Sequence, residues 1–549
     1  MLKLNENPTP ALSICRSPEL AITNSSYIQI GLPRLPLPAS TTHFAILSEW
    51  LSDCDKNHRG CAPLKTYPPP TRLIDLGSPD APVVRLIQTK ATETVKYIAL
   101  SHPWGQGHSF CTFPHNLAKH KRAIPVHSPD FPDTFRDAIA ATRALEVQYL
   151  WIDSICIIQG PNGDFDKEAK RMEDVFSAAY CVIAASSARG QRDGFLKTRK
   201  ERQFLHLPVT STVSTQNGPY NGGLYICRFI DNFSEHVLNG PLCKRGWVLQ
   251  ERALARRTIY FTDWQTYWEC GCGVRCETLT KIDNKLTSFL GDPSFPSKLS
   301  GSLSDKGSDR GERIRFYEDL YRQYSRLNFT RLTDRPVAIA GLEQRMINDL
   351  KAKGGYGIFH DARSLLPRSL LWRRGAEEAK LNRVDFSQAK QTEGKNLPSW
   401  SWMAYDGAID YLDLPLGGVD WRNDAVLDPF SSPDSADQGP ANETAVLKVM
   451  TRPFVLEPIG EPWESVDVVL DAGNAQGDVE WEQWKAVVVG ARRIAKGENV
   501  PMELRTHYLL IITALSEDDG QNTVYRRIGV GYMPGGFLGE EEVQRVTVK

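Results

Sequence analysis

Asp153, Ser154 and Cys156 follow the apolar run Tyr149-Leu150-Trp151-Ile152, so an acid, a hydroxyl and a thiol arrive together where a hydrophobic strand stops. Ser101, His102 and Trp104 end a second such run, Tyr97-Ile98-Ala99-Leu100, just before Gly105. In open α/β sheets, ligands bind at the carboxyl ends of strands, which makes these groups the first to be read as chemistry. Cys156 becomes a nucleophile where a nearby base lowers its pKa, and His102 is the histidine that the pattern puts on the same rim. Among Ile155, Ile157 and Ile158 the same thiol also reads as a small buried hydrophobe. Asp153 must be solvated, paired or hydrogen-bonded. It can cap the following turn, bind a ligand hydroxyl or activate water. Ser101 suits a turn as well as a ligand contact, and Trp104 a lid as well as a core aromatic.

The elements that must position these groups are visible in the periodicity. Pro132 suits a first helical turn, and Phe135, Ala138, Ile139, Thr142 and Leu145 recur at three-and-four spacing, which predicts a helix between the two runs. Strand, helix and strand then form a right-handed crossover with parallel strands, and Ser101 and Asp153 leave the sheet on one edge. Phe165, Ala169, Met172, Val175, Phe176 and Ala179 outline a second amphipathic helix, and Cys181-Val182-Ile183-Ala184-Ala185 the next buried strand. The expected fold class is α/β, with a doubly wound, mostly parallel sheet. A short helix is expected over Phe44 to Leu51, and a hairpin over Thr258 to Phe261 and Thr266 to Glu269.

Four blocks in a fixed order carry a resemblance. They read Ala99-Leu100-Ser101-His102-Pro103-Trp104-Gly105, Phe135-Arg136-Asp137-Ala138-Ile139, Trp151 to Gln159, and Trp247-Val248-Leu249-Gln250-Glu251-Arg252. Together they resemble the fungal heterokaryon incompatibility (HET) domain, over roughly residues 45 to 270. Flanking segments such as Pro70 to Asp75, Leu332 to Arg335, Pro398 to Trp402 and Tyr525 to Gly529 look like those of full-length proteins of that family. The departures are His102-Pro103, where the family usually has an aromatic and a variable residue, and Gly160, where an acid commonly follows the glutamine.

The resemblance implies an effector of allorecognition and programmed cell death. It also implies a remote likeness to Toll/interleukin receptor domains, some of which cleave NAD with one helix-borne glutamate. By that likeness Glu251 is the catalytic acid. From the residues alone, Glu251 and Arg252 also read as an exposed ion pair. The pocket so implied has Asp153, Cys156, Glu251 and His102 as its catalytic candidates. Ser101, Trp104, Gly105, Ser154, Gln159, Trp247, Gln250 and Arg252 are then the candidate substrate contacts. NAD enters as a substrate, and no resident cofactor is expected. Two alternatives stay open: a non-catalytic module for self-assembly or partner binding, and a natural-product pathway enzyme on the same scaffold.

The remaining composition narrows the classes. The chain has 549 residues, 41% of them hydrophobic and 24% charged, with a net charge of -1, which gives no general electrostatic reason to seek nucleic acid or anionic membrane. No signal-like leader and no window near the ~18 continuous apolar residues of a membrane span is visible, so the expected location is cytoplasmic. There the 11 cysteines read as reduced thiols. Cys54, His58 and Cys61 form one weak metal candidate, and Cys270, Cys272 and Cys276 another. Neither offers four ligands at a standard zinc spacing. Phosphate-loop, H-E-x-x-H and G-x-S-x-G motifs are absent.

The expected plan is an irregular arm over 1–44, a HET domain over 45–287, a Ser-, Gly- and Asp-rich linker over 288–311, and a helical then β-rich module over 312–549. In that module helices are expected over Phe316 to Tyr324 and Pro336 to Leu350. Strands are expected around Ala445 to Val455, Trp484 to Val489, His507 to Thr513 and Thr523 to Gly531, with a loop-like stretch over 413–443.

Overall fold

A computed structural model describes residues 2–3, 10–16, 28–63, 67–107, 109–208, 223–282, 308–361, 363–387, 389, 396–430, 446–455, 465–473, 481–515, 523–539 and 545–549. The chain divides into two compact units, residues 1–298 and 299–549. The expected linker lies largely outside the described residues.

In the first unit the site-bearing elements are helix α1 (Thr41–Asn57), strands β1 (Arg72–Asp75), β2 (Val83–Gln88) and β3 (Tyr97–Ser101), helix α2 (Asp133–Ala144), strand β4 (Tyr149–Trp151), helix α3 (Met172–Ala178), strand β5 (Cys181–Ala184), helix α4 (Gly246–Leu254), and strands β6 (Arg257–Phe261) and β7 (Thr266–Cys270). Every residue of β3, β5 and β6 is buried, as the apolar runs Tyr97–Leu100, Cys181–Ala184 and Ile259–Phe261 require of strands covered on both faces. Phe135, Ala138, Ile139 and Thr142 form the buried stripe of α2, as the spacing predicts. Burying each large side chain of that stripe is worth about 1.5 to 3 kcal/mol before entropy is subtracted.

These strands belong to one ten-stranded sheet in the order Lys281–Ile282, Gly273–Cys276, β7, β6, β5, β3, β4, β1, β2, Ile124–Pro125. Its centre is parallel: β4, β3, β5 and β6 run the same way. Both flanks are antiparallel, β1 to β4 and to β2 on one side and β7 to β6 on the other. The sheet is therefore mixed, which corrects the mostly parallel sheet expected. Connection length accounts for two of the reversals: Leu76–Pro82 and Thr262–Gln265 are too short for crossovers, so β1 and β2, and β6 and β7, run antiparallel.

Two local expectations also change. The stripe from Phe165 to Ala179 is broken into helices Phe165–Ala169 and α3. At the break Arg171 donates to the Thr71 hydroxyl at 2.5 Å and the Pro69 carbonyl at 2.9 Å, so polar anchoring overrides apolar periodicity. Within the arm read as irregular, Pro10–Arg16 is a strand, paired antiparallel with Gly223–Arg228 in a separate four-stranded sheet.

The second unit has helices Ser308–Ser325 and Ala340–Leu350 and an eight-stranded sheet built around Trp484–Arg492, Thr506–Ala514 and Val524–Pro534. The stretch read as loop-like contributes the strand Val419–Trp421, and its residues 431–443 lie outside the described ones. Trp372, Trp400 and Trp402 are fully buried, and Arg527 lies over the Trp372 ring with its Nε 3.0 Å from Asp471 Oδ2. Among the described residues, no helix is long and apolar enough to cross a membrane.

Candidate functional site

The register of β3 against β4 pairs Ala99 with Trp151, so Ser101 and Asp153 lie two residues beyond one level on the same edge of the sheet. Asp153 opens the helical turn Asp153–Cys156. Its Oδ1 accepts the Ser154 backbone N–H at 2.6 Å, and its Oδ2 accepts the Trp104 indole N–H at 2.7 Å. Gly105, with φ +78°, makes the turn after β3 possible, since a Cβ there would lie 2.8 Å from the Gly190 Cα.

Glu251 comes to the same place on α4, four residues and one turn after Trp247. The Ser101 hydroxyl donates to Glu251 Oε2 at 2.5 Å across 150 residues of chain. Burial pushes the Glu251 carboxyl up to about 7, against the Ser101 hydrogen bond and the Arg245 charge, and Asp153 pushes it further up. A carboxyl half ionised near neutrality, beside a second acid held by two N–H donors, is the arrangement that acid–base chemistry uses.

His102 adjoins this cluster with its ring turned onto Phe135. Like Ser101 it is 3% exposed, but its ring meets Phe135 edge-on at 5.1 Å, and neither ring nitrogen has a hydrogen-bond partner. Burial lowers its pKa to about 4, with Asp153, 3.8 Å from Nδ1, opposing. The imidazole is neutral at pH 7 and fills the position where the resemblance leads one to expect an aromatic ring.

Cys156 shares the strand end but not the rim. It is 1% exposed, and burial pushes its thiol up to about 12, so it is held as a protonated hydrophobe of the core. Arg252 turns away as well, pairing both oxygens of Glu269 at 2.9 and 2.6 Å. Gln159 donates to the Ile157 carbonyl at 3.2 Å, Trp247 packs edge-on against Phe165 at 6.2 Å, and Ser154 and Gln250 are buried. The structure thus gathers Ser101, Trp104, Asp153 and Glu251, and sets Cys156 and Arg252 apart from them.

Sequence reasoning did not single out Arg245. It stands just before α4 and donates from Nη1 to the His102 carbonyl at 2.5 Å. Its one available signal was that it is a basic residue two positions before the fourth block opens at Trp247.

The two weak metal candidates are also redistributed. Cys54, His58 and Cys61 come together as their spacing allows, and Cys270 joins them from β7. Cys272 is exposed, and Cys276 hydrogen-bonds to Thr278 at 3.1 Å.

Residues 97–251 match the family model described as heterokaryon incompatibility protein (HET). The match opens on the first residue of β3 and closes on Glu251, the two elements joined by the Ser101 hydrogen bond. No curated protein and no solved structure matches the chain.

Proposed function

From the premise that residues 97–251 are a HET domain, we propose that this protein is an effector of the heterokaryon-incompatibility type whose rim site hydrolyses a nucleotide-like substrate such as NAD at its glycosidic bond. The observation that carries the reading is the Glu251 carboxyl, raised to about 7 and held by Ser101 beside Asp153. In this hydrolysis the ribose C1′–N bond breaks, its electron pair stays on nicotinamide, and water forms the new C1′–O bond and gives up a proton. Nicotinamide leaves as a neutral molecule, so the site needs no proton donor. It needs negative charge to face the positive charge developing on the ribose, and a base for the water.

Glu251 serves as that base once ionised, with the Ser101 hydroxyl fixing its orientation. Asp153, locked by Trp104 and the Ser154 N–H, supplies the facing negative charge without reorganising. Arg245, half-buried beside His102, offers a guanidinium to the substrate's phosphates. In a fungal cell the expected consequence is death through loss of NAD.

Full-length protein incubated with NAD is expected to release nicotinamide and ADP-ribose. Glu251→Gln keeps the volume and removes the base, so the rate should fall by about 10²-fold or more with an unchanged circular-dichroism spectrum. Wild-type protein that folds yet leaves NAD intact, or a variant that turns over as fast, sinks the reading. A large assembly on gel filtration in place of turnover would favour self-association instead.

A further inference from the structure

Three elements far apart in the chain bring three thiols and an imidazole to one point. Cys54 and His58 stand one turn apart at the end of α1, Cys61 closes the short turn Arg59–Cys61, and Cys270 ends β7. One ligand atom from each, three Sγ and a ring nitrogen, lie within 4.8 Å of one another. His58 Nδ1 is 3.5 Å from Cys270 Sγ, across 212 residues. We propose that Cys54, His58, Cys61 and Cys270 form a structural site for a thiophilic divalent cation, zinc, that ties α1 to the edge of the sheet.

The geometry fits that ion. Tetrahedral zinc, with Zn–S about 2.3 Å and Zn–N about 2.0 Å, sets its ligand atoms about 3.5 to 3.8 Å apart, so at most about 1 Å of closure is needed. Cys54, Cys61 and Cys270 are 1%, 0% and 1% exposed, and all four positions are filled by protein, which describes a closed structural site with no open position for a substrate.

The surroundings fit it too. With Nδ1 turned to the thiols, His58 Nε2 lies 3.4 Å from Arg275 Nη2 and 3.9 Å from Asp53 Oδ2, and Arg275 and Asp53 are themselves paired, so a small closure would bring the carboxylate onto the ring. A carboxylate behind a ligating histidine is the usual arrangement for fixing its ring and tautomer. Charge is the second, independent observation. Three thiolates and one Zn²⁺ carry a net charge of about -1. Arg256 donates to the Cys61 carbonyl at 3.1 Å and the Ala179 carbonyl at 3.2 Å, and Arg257 Nη2 pairs with Asp55, yet Arg256 Nε with Arg257 Nε and Nη1 are still buried without an acceptor. Buried guanidinium edges are costly unless a negative charge lies close by, and a metal–thiolate unit supplies one. Sequence spacing showed three of the four ligands, because the fourth is delivered by the fold of β7.

The test uses the full chain, purified under reducing conditions without chelator. Elemental analysis is expected to find about one zinc per chain, released when the thiols are blocked with a mercurial. Exchange into cobalt(II) should give the intense visible bands of a tetrahedral ion together with thiolate charge transfer. Cys61→Ser should lose the metal, and Cys272→Ser, at the exposed neighbour outside the set, should keep it. If Cys61→Ser does not fold, the cobalt spectrum of wild type decides alone. Less than about a tenth of an equivalent after incubation with zinc, an octahedral cobalt spectrum, or a native disulfide between any two of Cys54, Cys61 and Cys270 overturns the proposal. Metal content is read whether or not NAD is turned over, so this test and that of the rim site fail separately.

Discussion

A carboxyl that titrates near 7 works against the fold above that pH. Glu251 holds its proton more tightly in the folded chain, about 7 against the ordinary 4.5, so its protonated form favours folding. That contribution is full below about 4.5, fades as pH rises through 7, and leaves a cost of order 1 to 3 kcal/mol beyond. Glu251→Gln removes the cost and the proposed base together. The variant is therefore expected to melt above wild type at pH 8 and level with it at pH 4.5, while wild-type turnover climbs with pH to a plateau just above 7. A melting curve lowered at pH 8 would refute this account. His102 gives the opposite sign. Its folded pKa of about 4 lies below the ordinary 6.5, so the neutral ring contributes stability that is lost as pH falls from 6.5 through 4. His102→Phe should retain the fold and flatten that acid-side loss in a series of melts between pH 7 and 4. Ser101 and Asp153 were legible in the sequence because polar groups at the ends of apolar runs have few other places to be. Glu251 was not legible from its neighbours, since Arg252 beside it invited a surface pair; only the resemblance singled it out. Arg245 was hidden because its partner, the His102 carbonyl, is 143 residues away and is chosen by the fold.

At the scale of elements, α4 divides its work between adjacent residues. Glu251 serves the rim, and Arg252 fastens the helix to β7 through Glu269, which also accepts the Tyr260 hydroxyl at 2.6 Å. Arg252 is 10% and Glu269 2% exposed, so removing the arginine leaves a carboxylate buried and unpaired. Arg252→Ala is expected to cost about 3 to 5 kcal/mol and to lower activity by loosening α4. Replacing both residues with Met and Leu should recover much of the lost stability. Denaturant titration of the single and double variants measures both, and a single-variant loss below about 1 kcal/mol would contradict the pairing. The central crossover was legible because β3, α2 and β4 each carry a clean period. The antiparallel flanks were not, because β1 and β2 are short and Arg72 and Arg85 interrupt their apolar character. What settles their direction is the length of the turn between them, which is a tertiary constraint.

At the scale of the molecule, the two units have separate cores, and their boundary at residues 298 and 299 falls in the Ser-, Gly- and Asp-rich stretch whose composition cannot bury a core. Limited proteolysis is expected to cut first between residues 288 and 311. Early cleavage between residues 97 and 185 would contradict that plan. The segments outside the family match that the sequence reading singled out were legible as sequence but not as structure. Arg335, Trp400, Trp402 and Arg527 prove to be core residues of the second unit, all 2% exposed or less. The Ser101–Glu251 hydrogen bond has one more consequence, in time rather than in space. Its partners are 150 residues apart, and a ribosome adds about 5 to 20 residues each second, so roughly 8 to 30 s pass between the making of one and the other. A growing chain thus carries Ser101 and Asp153 long before it carries Glu251, and under the proposed hydrolysis a message cut short anywhere before the codon for Glu251 is expected to yield an inactive product.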